Sequence, residues 1–200
     1  MKRSLEERLK EVENEVAQIK KEINKTKFYG KKIGDTFELI GIPWKVLDIT
    51  EKGYACLAME PVIENKKFGT YGNNWRDSNL REWLHKNILP KIKEELGEDQ
   101  IIKFKRNLIS LDGITEYGEC IDEISLISID EYRKYRRLIP NSKKEWWWTI
   151  TPWSTKSNDD NTWVAAVSPS GYVICNNFND CDGVRPFCIF SSDLFESGRE

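Results

Sequence analysis

One histidine and five cysteines bound the chemistry that this 200-residue chain can perform. His85 alone cannot supply a two-histidine zinc motif or a 2-His-1-carboxylate iron site within one chain. A Ser-His-Asp or Cys-His arrangement would have to run through it. It lies in Trp83-Leu84-His85-Lys86, beside the apolar side of an expected helix, and reads as a surface or core-neighbouring residue. The cysteines are Cys56, Cys120, Cys175, Cys181 and Cys188. An odd count without an export signal reads as free thiols in a reducing compartment. The spacing of the last three fits no short Cys-x-x-Cys zinc knuckle.

Two polar stretches carry a different chemistry. The first runs from Trp153 through Ser154, Lys156, Asn158 and Asp159 to Asn161; the second holds Asn176, Asn177, Phe178, Asn179 and Asp180 and ends at Asp182. Asn and Ser offer adaptable hydrogen bonds, while Trp153 and Phe178 offer flat apolar faces, the mixture found in paratopes. It also suits sugars, whose rings stack on aromatics while their hydroxyls bond to amides. The competing reading is a pair of plain solvated loops.

These stretches flank one expected hairpin, Trp163–Val167 and Gly171–Cys175, turning at Ser168-Pro169-Ser170-Gly171, so a sheet would bring them to one edge. Trp146–Ile150 reads as a buried strand before it, and Val184–Phe190 as a closing strand after it. Upstream, Thr36–Ile40, Trp44–Ile49 and Gly53–Met59 alternate as a three-stranded meander. Asp77-Ser78-Asn79 caps a helix with Leu80, Trp83 and Leu84 on one face. Pro90 opens a second helix through Leu96, stopped by Gly97, and Ser128 with Glu131 forms a capping box for a third. The apolar run from Cys120 to Ile129 reads as a strand leading into that last helix. Strands, helices, then strands again give an α+β layout.

Residues 1–29 are set apart as a stalk, with the head at 30–200. Leu5, Leu9, Val12, Val16, Ile19 and Ile23 follow at intervals of 4, 3, 4, 3 and 4, an unbroken a/d seam. Ser4 and Glu7 supply a capping box, and Gly30 with Gly34 marks the end. The flanking g-to-e pairs Arg8–Glu13, Glu15–Lys20 and Glu22–Lys27 are all opposite in sign, as parallel in-register helices require. β-branched Val12 and Ile19 at d favour a homotrimer over a dimer, which is kept as the alternative.

Aromatic residues make up 12% of the chain, so material for a core is ample. The balance of 31 basic against 33 acidic residues speaks against nucleic-acid binding by phosphate neutralisation. No apolar run approaches the roughly 18 residues of a membrane span, and no leader-like segment follows Met1, so membrane insertion and signal-directed secretion are not expected.

Several segments resemble, in order, the DUF6273 domain family of Firmicutes and their phages. They are Tyr71-Gly72-Asn73-Asn74-Trp75 with Ser78, Leu80, Arg81, Trp83 and Leu84; Ile124–Ser128 with Glu131-Tyr132; Trp147–Pro152; Val167–Val173 around Gly171; and Gly183–Phe187. That family looks related to the C-type-lectin-like variable domains targeted by diversity-generating retroelements. The resemblance spans about residues 30–190. It implies a C-type-lectin-like head with a small core sheet, two helices and a displayed loop segment. The binding face would be Trp153–Asn161 and Asn176–Asp182, with Trp147, Trp148, Gly183 and Arg185-Pro186 as scaffold.

Phe178-Asn179-Asp180 is similar to the Trp-Asn-Asp segment of calcium-binding C-type lectins, and Asp159, Asp160 and Asp182 would add oxygens. No Glu-Pro-Asn or Gln-Pro-Asp segment completes such a site, and no cofactor is expected. The functional expectation is a non-catalytic trimeric phage or prophage tail protein, made in the bacterial cytoplasm and carried in the virion. Its heads would bind a bacterial surface glycan or protein. Alternatives are a structural tail or baseplate adaptor, and a thiol enzyme using Cys175 and Cys181 on a fold like that of formylglycine-generating enzymes.

Overall fold

A computed structural model describes residues 4–141 and 145–196. Helix α1 (Leu5–Phe28) opens the chain, and its capping box closes as expected. The Glu7 N–H donates to Ser4 Oγ at 3.2 Å, and the Ser4 N–H to Glu7 Oε2 at 2.8 Å. Every seam residue is exposed, from 46% at Val16 to 81% at Leu5. The last turn is different. Phe28 is buried edge-on against Phe37 and Phe195, so the stalk ends inside the head rather than before it. Lys27 is held at 2.8 Å by Glu95 of the same chain. The third of the three expected interchain charge pairs therefore has an intrachain competitor.

The meander forms as β1 (Thr36–Leu39), β2 (Ile42–Thr50) and β3 (Gly53–Ala58), antiparallel throughout. After β4 (Ile63–Lys67), Ser78 caps α2 (Asn79–Asn87) through its side chain. Pro90 lies in the first turn of α3 (Leu89–Leu96), and Gly97 takes the positive φ of 104° that ends it. Then come β5 (Ile101–Ile102), β6 (Phe104–Asn107) and β7 (Glu119–Asp122). Helix α4 (Ile129–Tyr135) carries the full Ser128–Glu131 capping box.

Strands β8 (Trp147–Pro152), β9 (Trp163–Val167), β10 (Val173–Asn177), β11 (Cys181–Val184) and β12 (Phe187–Phe190) follow, and a short α5 (Asp193–Glu196) packs on α1. They complete two five-stranded sheets, β1-β2-β3-β12-β5 and β10-β9-β8-β11-β4, beside the β6-β7 hairpin. This is a mixed α+β chain with an N-terminal helix.

Two expected strands are corrected. Val184–Phe190 is not one strand: β11 joins the second sheet and β12 the first, split at Arg185-Pro186. Proline cannot donate to a ladder, and Arg185 is buried, with Nε donating to the Ala58 carbonyl and its guanidinium carbon 4.8 Å from the Trp147 ring centroid. Burial and loss of hydration push the Arg185 pKa down to about 10. The run Cys120–Ile129 is a strand only to Asp122. Ile124, Leu126 and Ile127 are buried without a ladder, tied by the Ser125–Phe187 bridge and by the Ile150 N–H donating to the Ile127 carbonyl.

Candidate functional site

The second sheet presents its strand ends to one place. Past the β8 bulge Pro152 stands opposite Val164, so Trp153 falls opposite Trp163, and its N–H donates to the Trp163 carbonyl at 2.9 Å. Trp163 in turn pairs with Asn177 of β10. Residues directly opposite in antiparallel strands share a face. Trp153, Trp163 and Asn177 thus stand in a row, the indoles 37% and 40% exposed.

The loop after Trp153 is braced from below. Asn73 is fully buried and donates through Nδ2 to the carbonyls of Ser154 (3.0 Å) and Trp163 (2.9 Å), while accepting the Tyr117 hydroxyl at 2.7 Å. Glu116 Oε2 takes the Ser157 N–H at 2.9 Å. Asp112 accepts the hydroxyls of Ser110 and Ser154, which hold its carboxyl below the usual range. Ser154 is buried, its hydroxyl donating to Asp112 and accepting from the Asn158 amide, so it braces the loop from below. Lys156, Asn158 and Asp159 are exposed on the loop's outer side. Asn161 is half-buried under the loop bearing Tyr71. A Cβ on Gly72, whose φ is +145°, would lie 3.0 Å from the Asn161 amide, so the close approach needs glycine.

The second stretch makes a tight turn. The Asn177 N–H donates to Asp180 Oδ2 at 3.0 Å, the Asp180 N–H to the Asn177 carbonyl at 2.7 Å, and the Asn179 N–H to Asn177 Oδ1. Phe178 corrects the expectation of an aromatic tip: it is half-buried against the core, and its carbonyl accepts the N–H groups of Phe68 and Gly69. Asn179 and Asp180 remain exposed, and Asn176 is half-buried.

Asn176 Nδ2 donates to Asp182 Oδ2 at 2.6 Å. Asp182 is buried, and loss of hydration raises its pKa from 3.8 to about 6, against the lowering effect of Asn176. The folded state then holds a proton that the unfolded chain releases, so this group's contribution to stability is full below pH 3.8 and is lost as pH rises through about 6. Asp182→Asn is expected to remove that slope, raising stability above pH 7 by about 2–3 kcal/mol relative to the parent. Paired thermal melts from pH 4 to 8 check it; parallel curves for the two proteins would contradict the assignment.

The carboxylates named for calcium are partly committed: Asp160 Oδ1 accepts the Thr162 N–H, Asp180 the Asn177 N–H and Asp182 the Asn176 amide. Among the described residues, no group of three or more His, Cys, Asp or Glu side chains is placed to hold a metal ion. His85 Nε2 lies 3.6 Å from the buried Asp122, which also accepts Trp75 Nε1 and Arg81 Nε. Burial pushes the Cys56, Cys175 and Cys188 thiols up, and Cys120 to about 11, while Cys181 is exposed. No helix among the described residues is long and apolar enough to cross a membrane.

Trp163, Asn73, Asp112, Glu116 and Tyr117 were not among the residues expected from sequence. Trp163 reads only as the first residue of a strand, and its register with Trp153 is what makes it a surface feature. Compared with family models, curated proteins and solved structures, the chain matches none of them.

Proposed function

We propose that this protein is a non-catalytic recognition module whose C-type-lectin-like heads bind a bacterial surface glycan or protein. The observation that carries the reading is the Trp153–Trp163–Asn177 row, half-exposed and set on a braced sheet end. Large apolar side chains are held to such a surface at a cost unless something covers them, and Trp is the residue type most enriched at binding hot spots. Sugars stack on indoles and bond to amides, and Asn158, Asn177 and Asn179 supply the amides. Burial raises the Cys175 thiol, which speaks against that cysteine as a nucleophile, because the thiolate is the reactive form.

The seam on α1 supplies the rest of the reading: a parallel homotrimer in which several weak contacts act together, as in a phage or prophage tail protein. A structural adaptor in a tail or baseplate would use the same face against another protein.

The test is binding of the intact protein to a glycan array and to whole bacterial cells, with and without chelator. Trp153→Ala and Trp163→Ala are each expected to weaken binding at least about tenfold, with the melting temperature nearly unchanged. Full binding by the double variant would remove this face from the function. Glycan-array silence with retained cell binding would select a protein ligand.

A further inference from the structure

Beside the tryptophan row lies a polar cleft of about 420 Å³, which the end of the second sheet shares with α4 and β6. Buried Thr151 lines it. Pro152 pairs with Val164 on the other side of the strand, so Thr151 and Trp153 stand on one face, with Cα atoms about 7 Å apart. Ser110 and Leu111 line the facing wall. The Leu111 N–H bonds the Pro152 carbonyl at 2.8 Å, and Asp112 takes the Ser154 hydroxyl at 2.7 Å. The wall of the cleft and the brace of the Trp153 loop are therefore one piece of chain.

Charges around the cleft cancel in pairs. Arg106 meets Glu131, Arg133 meets Asp130 at 3.0 Å, and Lys105 meets Glu119. An ionic ligand would have to break one of these pairs to find its own counter-ion. What the lining has left over is neutral hydrogen-bonding capacity. Thr151 Oγ1 accepts the Ile129 N–H at 3.0 Å and Ser128 Oγ the Glu131 N–H at 3.2 Å, so each hydroxyl keeps its own proton to donate. Asn107 Oδ1 takes the Ile109 N–H at 3.1 Å, which leaves both amide hydrogens. Half-buried Ile109 and Leu111 add apolar surface. A few convergent polar groups and apolar wall, in a cavity of this size, make a small-ligand site.

We propose that this cleft seats one uncharged sugar residue, bonded by Thr151, Ser128 and Asn107, while the next residues of the same glycan lie on Trp153 and Trp163. The inference rests on the recognition reading above and narrows its ligand to a neutral glycan.

The test is competition for whole-cell binding by the intact protein. Free neutral hexoses and N-acetylhexosamines form one arm; hexuronic acids, sialic acid and unacetylated amino sugars form the other. The neutral sugars are expected to compete and the charged ones to fail. Asn107→Asp keeps the acceptor for the Ile109 N–H, but it removes both amide donors and adds an unpaired charge. It is expected to weaken cell binding at least about tenfold, with the melting temperature nearly unchanged. Asp130→Trp, at a side chain 77% exposed, crowds the mouth and should do the same. Full binding by both variants, with Trp153→Ala still weakening it, overturns the cleft and leaves the tryptophan face standing. Competition by charged sugars alone, or by no sugar, overturns the neutral-glycan assignment. A parent that binds neither cells nor a glycan array overturns the recognition reading and this inference together.

Discussion

A chain carrying Ile19→Lys and Ile23→Lys is expected to sediment at the 23.5 kDa of one chain under conditions where the parent sediments as a multiple. Both side chains are more than half exposed in the single chain, so the change removes little contact within it. In a parallel bundle the same two layers bury an isoleucine from every chain, each contributing about 1.5–3 kcal/mol, and lysine there adds a desolvation cost. Association should fall by about a thousandfold or more. Lysine is a good helix former and only Ile23 comes near the head, at the open cleft it lines with Ile40, so the head should melt nearly as before. Light scattering across a concentration series reads the result. An unchanged mass for the variant would leave the seam without a role. The flanking charge pairs should matter less, because exposed ion pairs contribute only about 0–1 kcal/mol each.

Arg106→Met is expected to give the largest loss of stability. The guanidinium is buried and meets Glu131 through two bonds of 2.6 Å and the Leu126 carbonyl at 2.9 Å. Its central carbon lies 5.4 and 5.5 Å from the Phe104 and Phe187 ring centroids. Burial raises the Glu131 pKa, but the Arg106 charge and hydrogen bonds more than offset this and hold the carboxyl below its usual range. Removing the arginine leaves a partly buried carboxylate without its counter-ion, a loss toward the lower end of the about 3–5 kcal/mol typical of broken buried pairs. For a chain of this size that corresponds to a melting temperature lower by about 10 °C. Arg106→Met with Glu131→Gln should be less damaging than the arginine change alone, since no buried charge is then stranded. Equal losses would show that the ring contacts, and not the ion pair, carry the effect. Arg106 also leads into residues 108–117, which hold Asp112, Glu116 and Tyr117 under the loop after Trp153, the face proposed for binding. Binding should therefore weaken alongside stability.

Local chemistry was legible in the sequence wherever it is decided within a few residues. Both capping boxes, the Pro90 start and the Gly97 stop appear where spacing placed them, because a cap is settled within one helical turn. Strand β7 coincides with the start of the strand expected from Cys120, but β6 was not legible, because Arg106 occupies an inward position and a buried arginine erases the alternation that marks a half-buried strand. The split of Val184–Phe190 had a visible signal in Pro186, which has no N–H to give to a ladder. Ser154 and Phe178 could not be read, because their partners Asp112 and Phe68 are distant in the chain. The same holds for Trp163, whose exposure depends on a register set by the bulge in β8.

The stalk enters the head with no joint. Phe28 closes α1 inside the aromatic cluster, the Gly30 N–H bonds the Phe195 carbonyl, and Lys27 is clamped to Glu95. A 24-residue helix is about 36 Å long, so anything attached at its far end works a lever on the whole head. Twisting or pulling there reorients the tryptophan row instead of being absorbed by slack. Under the proposed multivalent binding, targets spread over a surface are gripped only when they lie at the pitch this stiff arm dictates.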